Sequence, residues 1–145
     1  MKNIKVLMID DNVELVKMVK EYFGNHENID ISLEAYDGVE GMKLIKDNQD
    51  DYDVVILDLI MPHKDGVSIL EEMKQLGIDK KVIVLTSYNT QDMIRKVSEL
   101  GIVYFILKPF ELSELEKRIL ECMGENNYSN KSIDVYKNNL QISIT

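Results

Sequence analysis

Four apolar segments of the sequence are followed by side chains that could together bind a metal ion and a phosphoryl group. Asp10 and Asp11 follow the first of these segments, Asp58 the second, Thr86 the third and Lys108 the last. Carboxylates that are brought close together repel one another, and burial raises their pKa values. A Mg²⁺ ion would remove this conflict, because it prefers oxygen ligands and usually takes one or two carboxylates. No His or Cys adjoins these residues, which argues against Zn²⁺.

The same residue types could carry out phosphoryl transfer. A carboxylate can attack phosphorus and form an aspartyl phosphate, and the reaction then needs mainly positioning and neutralisation of the equatorial oxygens. Asp58 is the expected nucleophile, because it ends a buried segment that would hold it rigidly. Asp10 and Asp11 are the expected metal ligands, and Lys108 and Thr86 could each bind a phosphoryl oxygen.

Each of these residues also has an ordinary structural interpretation. Asp11 and Glu14 could form a capping box for a helix, and a carboxylate such as Asp58 is common at the end of a strand. Thr86 could be a turn hydroxyl that caps a helix, and Lys108–Pro109 could be a strand-ending turn. Each interpretation is reasonable alone, but the presence of all four features in one chain favours the functional site.

The elements that would position these side chains alternate along the chain. Short apolar, β-branched segments lie at Ile4–Ile9, Ile29–Ala35, Asp53–Leu57, Lys81–Leu85 and Ile102–Leu107. Several are apolar at consecutive positions, as in strands buried on both faces of a parallel sheet. Helical apolar spacing follows each segment, at Val13–Phe23, Val39–Ile45, Val67–Met73, Met93–Leu100 and Leu112–Met123. The alternation predicts an α/β protein with a doubly wound parallel sheet, whose carboxyl edge would gather the site.

Composition and charge exclude several classes of protein. The chain has 145 residues, with 17 basic and 26 acidic side chains, a net charge of −9, one Cys and no Trp. The acidic balance disfavours direct binding of nucleic acid or anionic lipid, and a single Cys rules out a disulfide framework. No apolar run approaches the roughly 18 residues of a membrane span. We therefore expect a cytoplasmic protein without membrane contact.

The composition changes after Gly124. Residues 1–124 are expected to form one compact domain, since a chain of about 150 residues can bury a sufficient core without disulfides. The following segment is rich in Asn and Ser, which predicts a linker. Leu140, Ile142 and Ile144 then begin an alternating apolar pattern that the chain does not continue. We interpret residues 125–145 as a linker and the beginning of a truncated further domain.

The motifs resemble those of response-regulator receiver domains, and most closely those of sporulation regulators of spore-forming bacteria. The resemblance covers residues 1–124 and rests on Asp10–Asn12, Leu57–Gly66, Leu85–Thr86 and Tyr104–Phe110. It implies a five-stranded parallel sheet in the order 2-1-3-4-5, the flavodoxin-like (CheY-like) fold. It also implies a phosphorylation-activated switch of a two-component or phosphorelay system, and not an enzyme with an external substrate.

The resemblance assigns a phosphoacceptor and a set of metal ligands. Asp58 would receive the phosphoryl group from a phosphohistidine. Asp10, Asp11, Asp58 and the backbone carbonyl of Ile60 would bind Mg²⁺, with Mn²⁺ as an alternative and Ca²⁺ as a substitute in crystals.

The resemblance further assigns the switch residues and the partners. Thr86 would be the switch hydroxyl, Phe105 the switch aromatic, and Lys108 the phosphate-contacting base, joined by a cis peptide to Pro109. The phosphodonor would be a sensor histidine kinase or a histidine phosphotransferase, and phosphorylation would produce a homodimer. Promoter DNA would be bound only through the missing effector domain, which would control transcription and the initiation of sporulation.

Two features depart from the family pattern or modify it. Ile102 follows Gly101 where the family commonly has a small residue, which questions the close packing at that point. Ile60 and Tyr88 are apolar or bulky residues near the expected phosphorylation site. They could hinder the attacking water, and we therefore predict slow self-dephosphorylation.

Two other classes of protein share part of these features but fit the sequence less well than the switch. A haloacid-dehalogenase-like phosphotransferase also uses Mg²⁺ and an aspartyl phosphate, but it carries Asp-x-Asp after its first strand, whereas here Asp10 and Asp11 are adjacent. A cap domain is also missing. A flavodoxin would need a phosphate-binding loop rich in Gly, Ser or Thr after the first strand, and this chain has none there.

Overall fold

The protein is described from a computed structural model, which covers residues 4–87, 91–102 and 104–124. Its strands are β1 (Ile4–Ile9), β2 (Ile29–Ala35), β3 (Val54–Asp58), β4 (Lys81–Thr86) and β5 (Tyr104–Leu107). Its helices are α1 (Val13–Phe23), α2 (Gly38–Asp47), α3 (Gly66–Leu76), α4 (Gln91–Glu99) and α5 (Leu112–Cys122), with a 3₁₀ turn at Gln49–Asp51. The predicted linker, residues 125–145, lies outside the described residues, as does Tyr88.

The strands form one parallel sheet in the order β2-β1-β3-β4-β5. This confirms the predicted fold class and strand order. Every residue of β3 is buried, and so are nearly all residues of β1 and β4. Because successive side chains of a strand point to opposite faces, both faces of the central sheet must be covered by helices.

The bounds of β3 differ by one residue from the predicted segment, Asp53–Leu57. Asp53 lies just before β3: its backbone N–H donates a hydrogen bond of 2.8 Å to the carbonyl oxygen of Lys5, while its side chain accepts one of 2.8 Å from the Lys5 N–H. At the other end, Asp58 pairs with Leu85 of β4. Asp58 is therefore the last residue of its strand, and Thr86 is likewise the last residue of β4.

Two details of the helices also differ from the predictions. Asn12, and not Asp11, caps α1, because the Asn12 side chain accepts a hydrogen bond of 3.1 Å from the Leu15 N–H. The capping-box interpretation of Asp11 is therefore wrong, and its carboxylate remains available to the site. Val39 shares the helical spacing of the apolar residues in α2, but it is 59% exposed. The buried face of α2 is formed by Gly38, Gly41, Met42 and Ile45, and Val39 lies outside that face.

A cluster of three side chains joins α1 to α5 near the amino edge of the sheet. The carboxylate of Glu116 in α5 accepts a hydrogen bond of 2.7 Å from the Tyr22 hydroxyl and lies 3.2 Å from Nε2 of His26. Nδ1 of His26 accepts hydrogen bonds of 3.0 and 3.1 Å from the backbone N–H groups of Asn28 and Ile29. Since Nδ1 is an acceptor, Nε2 carries the proton and donates to Glu116.

No described helix has both the length and the apolar character that a membrane span requires. The longest described helices contain 11 residues.

Candidate functional site

Three carboxylates meet at the carboxyl edge of the sheet. Asp10 and Asp11 follow β1, and Asp58 ends the adjacent strand β3, so that parallel pairing brings them side by side. One carboxylate oxygen from each lies within 4.8 Å of the other two. Asp10 is completely buried, Asp58 is 5% exposed, and Asp11 is exposed. This confirms the prediction that the three acidic side chains lie close together at one edge of the sheet.

Lys108 directs its ammonium group into the acidic cluster. Its Nζ donates a hydrogen bond of 2.8 Å to Oδ2 of Asp10 and lies 3.6 Å from Oδ1 of Asp58. The Lys108 backbone N–H donates to the carbonyl oxygen of Thr86 at 2.8 Å, which continues the ladder between β4 and β5. The peptide between Lys108 and Pro109 is cis, as the resemblance implied.

The surroundings of Asp58 favour its protonated form. Burial is the largest cause, and together with the charges of Asp10 and Asp11 it raises the pKa of Asp58 to about 6. Lys108 and a hydrogen bond from the backbone of Ile60 act in the opposite direction and lower it. The Lys108 ammonium therefore compensates the three carboxylates only in part, so the cluster retains an excess of negative charge.

The backbone approaches Asp58 closely on the side of α3. The N–H of Gly66 donates a hydrogen bond of 2.8 Å to the carbonyl oxygen of Leu59. A Cβ atom on Gly66 would lie 2.6 Å from the carbonyl oxygen of Asp58 and 2.8 Å from Cα of Leu59. Both neighbours are backbone atoms, which cannot make room by a change of rotamer as a side chain could. Gly66 is thus needed for the close approach of α3 to the acceptor strand.

Thr86 lies on β4 and Phe105 lies on β5. Thr86 is 1% exposed at the end of β4, and Phe105 is 2% exposed in β5, opposite Val84. Tyr104 is only half-buried, with its hydroxyl 3.5 Å from the carbonyl oxygen of Glu121. Because successive side chains of a strand point to opposite faces, only one of these neighbouring aromatic residues is fully buried.

The donor set fits a hard divalent cation. All three side chains offer carboxylate oxygens, and within residues 4–87, 91–102 and 104–124 no other group of three acidic, His or Cys side chains could hold a metal ion. Oxygen-only donors are those that Mg²⁺ prefers, and two of the three carboxylates are buried beside like charges that a cation would neutralise.

Two contacts that shape the cluster are not among those expected from the sequence. One is the ion pair between Lys108 and Asp10, and the other is the hydrogen bond of 2.9 Å from the Asn12 backbone N–H to Oδ1 of Asp10. The second had a signal in the sequence, because an acid two residues before a helix cap commonly accepts such a bond. Together these contacts hold both oxygens of Asp10.

A separate cleft of about 340 Å³ opens at the amino edge of the sheet, between the last residues of α3 and the segment that follows α4. Its walls include Met73, Gly77, Gly101 and Ile102. Ile102, the residue that departs from the family pattern, therefore borders open space. The cleft lies at the edge opposite the carboxylates and takes no part in the acidic site.

Comparisons with known proteins agree with this geometry. The family model described as the response regulator receiver domain matches residues 6–120. A receiver domain of the Francisella response regulator 1452 is 31% identical, with a TM-score of 0.74 over 85% of this chain and 98% of that chain.

Two further solved structures are similar. The complex of CheX and CheY with BeF₃ and Mg²⁺ from Borrelia burgdorferi contains a chain that is 26% identical, with a TM-score of 0.74 over 83% of this chain and 89% of that chain. A response regulator receiver domain protein from Clostridium thermocellum is 29% identical, with a TM-score of 0.70 over 84% of this chain and 95% of that chain.

Proposed function

The chain belongs to the response regulator receiver domain family, and we propose that it is a switch that stores a phosphoryl group on Asp58. The observation that carries the proposal is the position of Asp58. Its carboxylate ends a completely buried strand and lies beside two other carboxylates and the Lys108 ammonium. A rigid carboxylate with a cation 3.6 Å away is a suitable nucleophile toward phosphorus.

Asp10, Asp11 and Asp58 would hold a Mg²⁺ ion, together with the backbone carbonyl of Ile60. Bound there, Mg²⁺ would neutralise the excess negative charge and stabilise charge on the phosphoryl oxygens. The pair of contacts to Asp10 supports this arrangement, since the Asn12 N–H and the Lys108 ammonium keep that carboxylate in one orientation. The similar CheY chain, whose structure includes BeF₃ and Mg²⁺, supports the choice of ion.

The transfer step would use a phosphohistidine as donor. An oxygen of the Asp58 carboxylate attacks phosphorus, the new O–P bond forms as the N–P bond breaks, and the imidazole leaves with the electron pair of that bond. Lys108 binds a phosphoryl oxygen through Nζ, and the Thr86 hydroxyl binds another. Receiver domains interact with histidine kinases or phosphotransfer proteins, and either class would supply this donor.

The added charge would act on Thr86 and Phe105. A phosphoryl group brings a charge of about −2 and strong acceptor oxygens, which attract the Thr86 hydroxyl toward Asp58. Thr86 and Phe105 lie on neighbouring paired strands, so a movement of Thr86 changes the space around the aromatic ring. The surface formed by α4, β5 and α5 would then be remodelled, and the phosphorylated chain would form a homodimer.

The output of the switch is proposed to be transcriptional. Residues 1–124 would form the receiver domain, and residues 125–145 would form a linker and the beginning of a DNA-binding effector domain. The proposed process is the initiation of sporulation, on the basis of the motifs quoted from Leu57–Gly66 and Tyr104–Phe110.

The decisive experiment measures the phosphoryl stoichiometry. With Mg²⁺ and a phosphorylated histidine phosphotransferase or acetyl phosphate, we expect the chain to retain one phosphoryl group, detected by mass spectrometry. The Asp58→Asn variant should retain none, whereas Asp30→Asn, on the exposed edge strand β2, should behave like the wild type. Sustained hydrolysis of a phosphomonoester would instead identify a phosphotransferase enzyme and contradict the switch.

A second experiment tests the conformational response. Beryllofluoride with Mg²⁺ should raise the melting temperature, since a ligand that binds only the native state stabilises it, and it should shift the chain from monomer to dimer in sedimentation. The Thr86→Ala variant should keep the stabilisation and lose most of the dimerisation. A dimer that forms equally well without beryllofluoride would contradict phosphorylation-dependent assembly.

A further inference from the structure

The loop between β3 and α3 contains a strained turn close to Asp58. His63 has a positive φ of 70°, and the Lys64 N–H donates a hydrogen bond of 2.8 Å to the carbonyl oxygen of Pro62. This combination is the rarer and more strained form of the γ-turn. A non-Gly residue holds such a conformation only where surrounding contacts enforce it. Two contacts of Lys64 can enforce it.

The first contact is the close packing of the Lys64 backbone against the start of α2. Gly38 is the first residue of α2 and is buried. A Cβ atom on Gly38 would overlap the carbonyl oxygen of Lys64 and lie 2.6 Å from its carbonyl carbon. Gly38 does not have a positive φ, so the requirement for Gly comes from this close approach alone. The loop rests directly on the start of α2.

The second contact fixes the Lys64 side chain to α3. Nζ of Lys64 lies 2.8 Å from Oε1 of Glu72, and Lys46 of α2 approaches the other oxygen of Glu72 at 3.7 Å. The loop is therefore held by two helices, since its Lys64 backbone contacts α2 and its Lys64 side chain pairs with α3. Toward the site, the same loop carries Ile60, which lies two residues after Asp58 and whose backbone carbonyl is one of the proposed magnesium ligands.

We propose that Gly38 and the Lys64–Glu72 ion pair are positioning elements of the magnesium site, because they hold in place the β3–α3 loop that carries the Ile60 carbonyl. The proposal rests on the magnesium site of the proposed function. It assigns to the start of α2, which supplies none of the three clustered carboxylates, control over how tightly the site binds the ion. Residues that orient metal ligands from outside the coordination sphere typically change metal affinity by about 10- to 100-fold.

Gly38→Ala and Gly41→Ala form a matched pair for the test. Gly41 lies one turn further along α2, and a Cβ atom there would be 2.8 Å from Cδ1 and Cγ2 of the core residue Ile9, away from the loop. Both variants should lower the free energy of unfolding, measured in urea. Only Gly38→Ala should weaken Mg²⁺ binding by about tenfold or more in calorimetric titration, while Gly41→Ala should stay within about twofold.

A second readout does not depend on the ion. In the Mg²⁺-free protein, the amide proton of Ile60 should shift in the NMR spectrum of Gly38→Ala, because the loop that carries Ile60 is displaced. In Gly41→Ala it should not shift. Equal Mg²⁺ affinities and unchanged Ile60 amides in the two variants would overturn the proposal.

Glu72→Gln keeps the proposal testable if Gly38→Ala does not fold. Removal of this partly exposed ion pair should weaken Mg²⁺ binding about threefold and shift the Ile60 amide, whereas Glu71→Gln, its exposed neighbour on α3, should do neither. Unchanged values in Glu72→Gln would overturn the proposal. A wild-type chain that binds no Mg²⁺ would contradict the proposed function itself, so the two failures can be told apart.

Discussion

The ammonium group of Lys108 donates a hydrogen bond of 2.8 Å to the fully buried carboxylate of Asp10, across 98 positions of the sequence. This pair ties the segment after β5 to the end of β1, although two strands lie between them in the sheet. Because Lys108 is nearer to Asp10 than to the proposed phosphoacceptor, it is already engaged before any phosphoryl group arrives. Phosphorylation would therefore have to draw Lys108 away from an existing partner.

Replacement of Lys108 by Met should destabilise the Mg²⁺-free protein. The substitution leaves the buried Asp10 carboxylate without its ion pair, which costs about 3 kcal/mol in the free energy of unfolding. Urea denaturation followed by circular dichroism measures this loss. Saturating Mg²⁺ should recover much of it, because the cation takes over the compensation. Lys117→Met, on the exposed side of α5, should change stability by less than about 0.5 kcal/mol, and a loss unaffected by Mg²⁺ would contradict the explanation.

Replacement of Asp58 by Asn should stabilise the Mg²⁺-free protein above pH 6. Burial raises the pKa of Asp58 to about 6 from an ordinary value of 3.8, so the folded state binds a proton more tightly than the unfolded state. The wild type therefore loses stability as the pH rises from about 4 to 6, by at most about 3 kcal/mol. Urea midpoints measured at pH 4 and pH 8 should show a gain for Asp58→Asn only at pH 8.

Two comparisons sharpen this prediction. Saturating Mg²⁺ should remove the advantage of Asp58→Asn, because the cation stabilises the charged carboxylate. Asp30→Asn, exposed on β2, should show no such pH dependence. A stability difference between Asp58→Asn and the wild type that is the same at pH 4 and pH 8 would count against a raised pKa.

Replacement of Ile60 by Asn should shorten the lifetime of the phosphorylated state several-fold. The Ile60 side chain is 46% exposed two residues after Asp58, where it can shield the phosphoryl group from water, and a small polar side chain would admit it. Phosphate-affinity gels that follow the loss of label after removal of the donor measure the lifetime. Leu76→Asn, another exposed apolar residue at the far end of α3, is the control, and an unchanged lifetime in Ile60→Asn would refute the shielding role.

Cys122 should react very slowly with thiol reagents in the native protein. Burial raises the pKa of its thiol to about 12 from an ordinary value of 9.0, which lowers the thiolate fraction at pH 8 by about a thousandfold. The reaction with Ellman's reagent, followed by absorbance, should therefore accelerate greatly in concentrated urea. Rapid labelling of the folded protein would show that Cys122 is accessible after all.

The fold and the acidic cluster could be predicted from the sequence because they depend on the order of elements. Alternating apolar strands and amphipathic helices predict a doubly wound sheet, and the carboxyl ends of its parallel strands must bring the residues after β1 and at the end of β3 together. The contact between Lys108 and Asp10 could not be predicted in this way. It depends on which of several nearby carboxylates the flexible Lys side chain reaches, and strand order does not decide that.

The sequence patterns also could not predict which of two similar neighbouring residues takes a given structural role. Asp11 and Asn12 both favour the position before a helix, and the structure uses Asn12, which frees Asp11 for the cluster. The role of Gly38 was hidden for a different reason. Its requirement arises from the backbone of Lys64, which is remote in sequence, and no local pattern of residues reports such an approach.

The hydrogen-bonded group of Tyr22, His26 and Glu116 has a consequence for the order in which the protein is made. His26 and Glu116 are separated by 90 positions, so the first helix leaves the ribosome long before the residue that fastens it has been translated. In each newly synthesised chain, Tyr22 and His26 therefore lack their hydrogen-bond partner Glu116 until α5 has been translated. The contacts between α1 and α5 can therefore form only after the last helix of the domain has been translated.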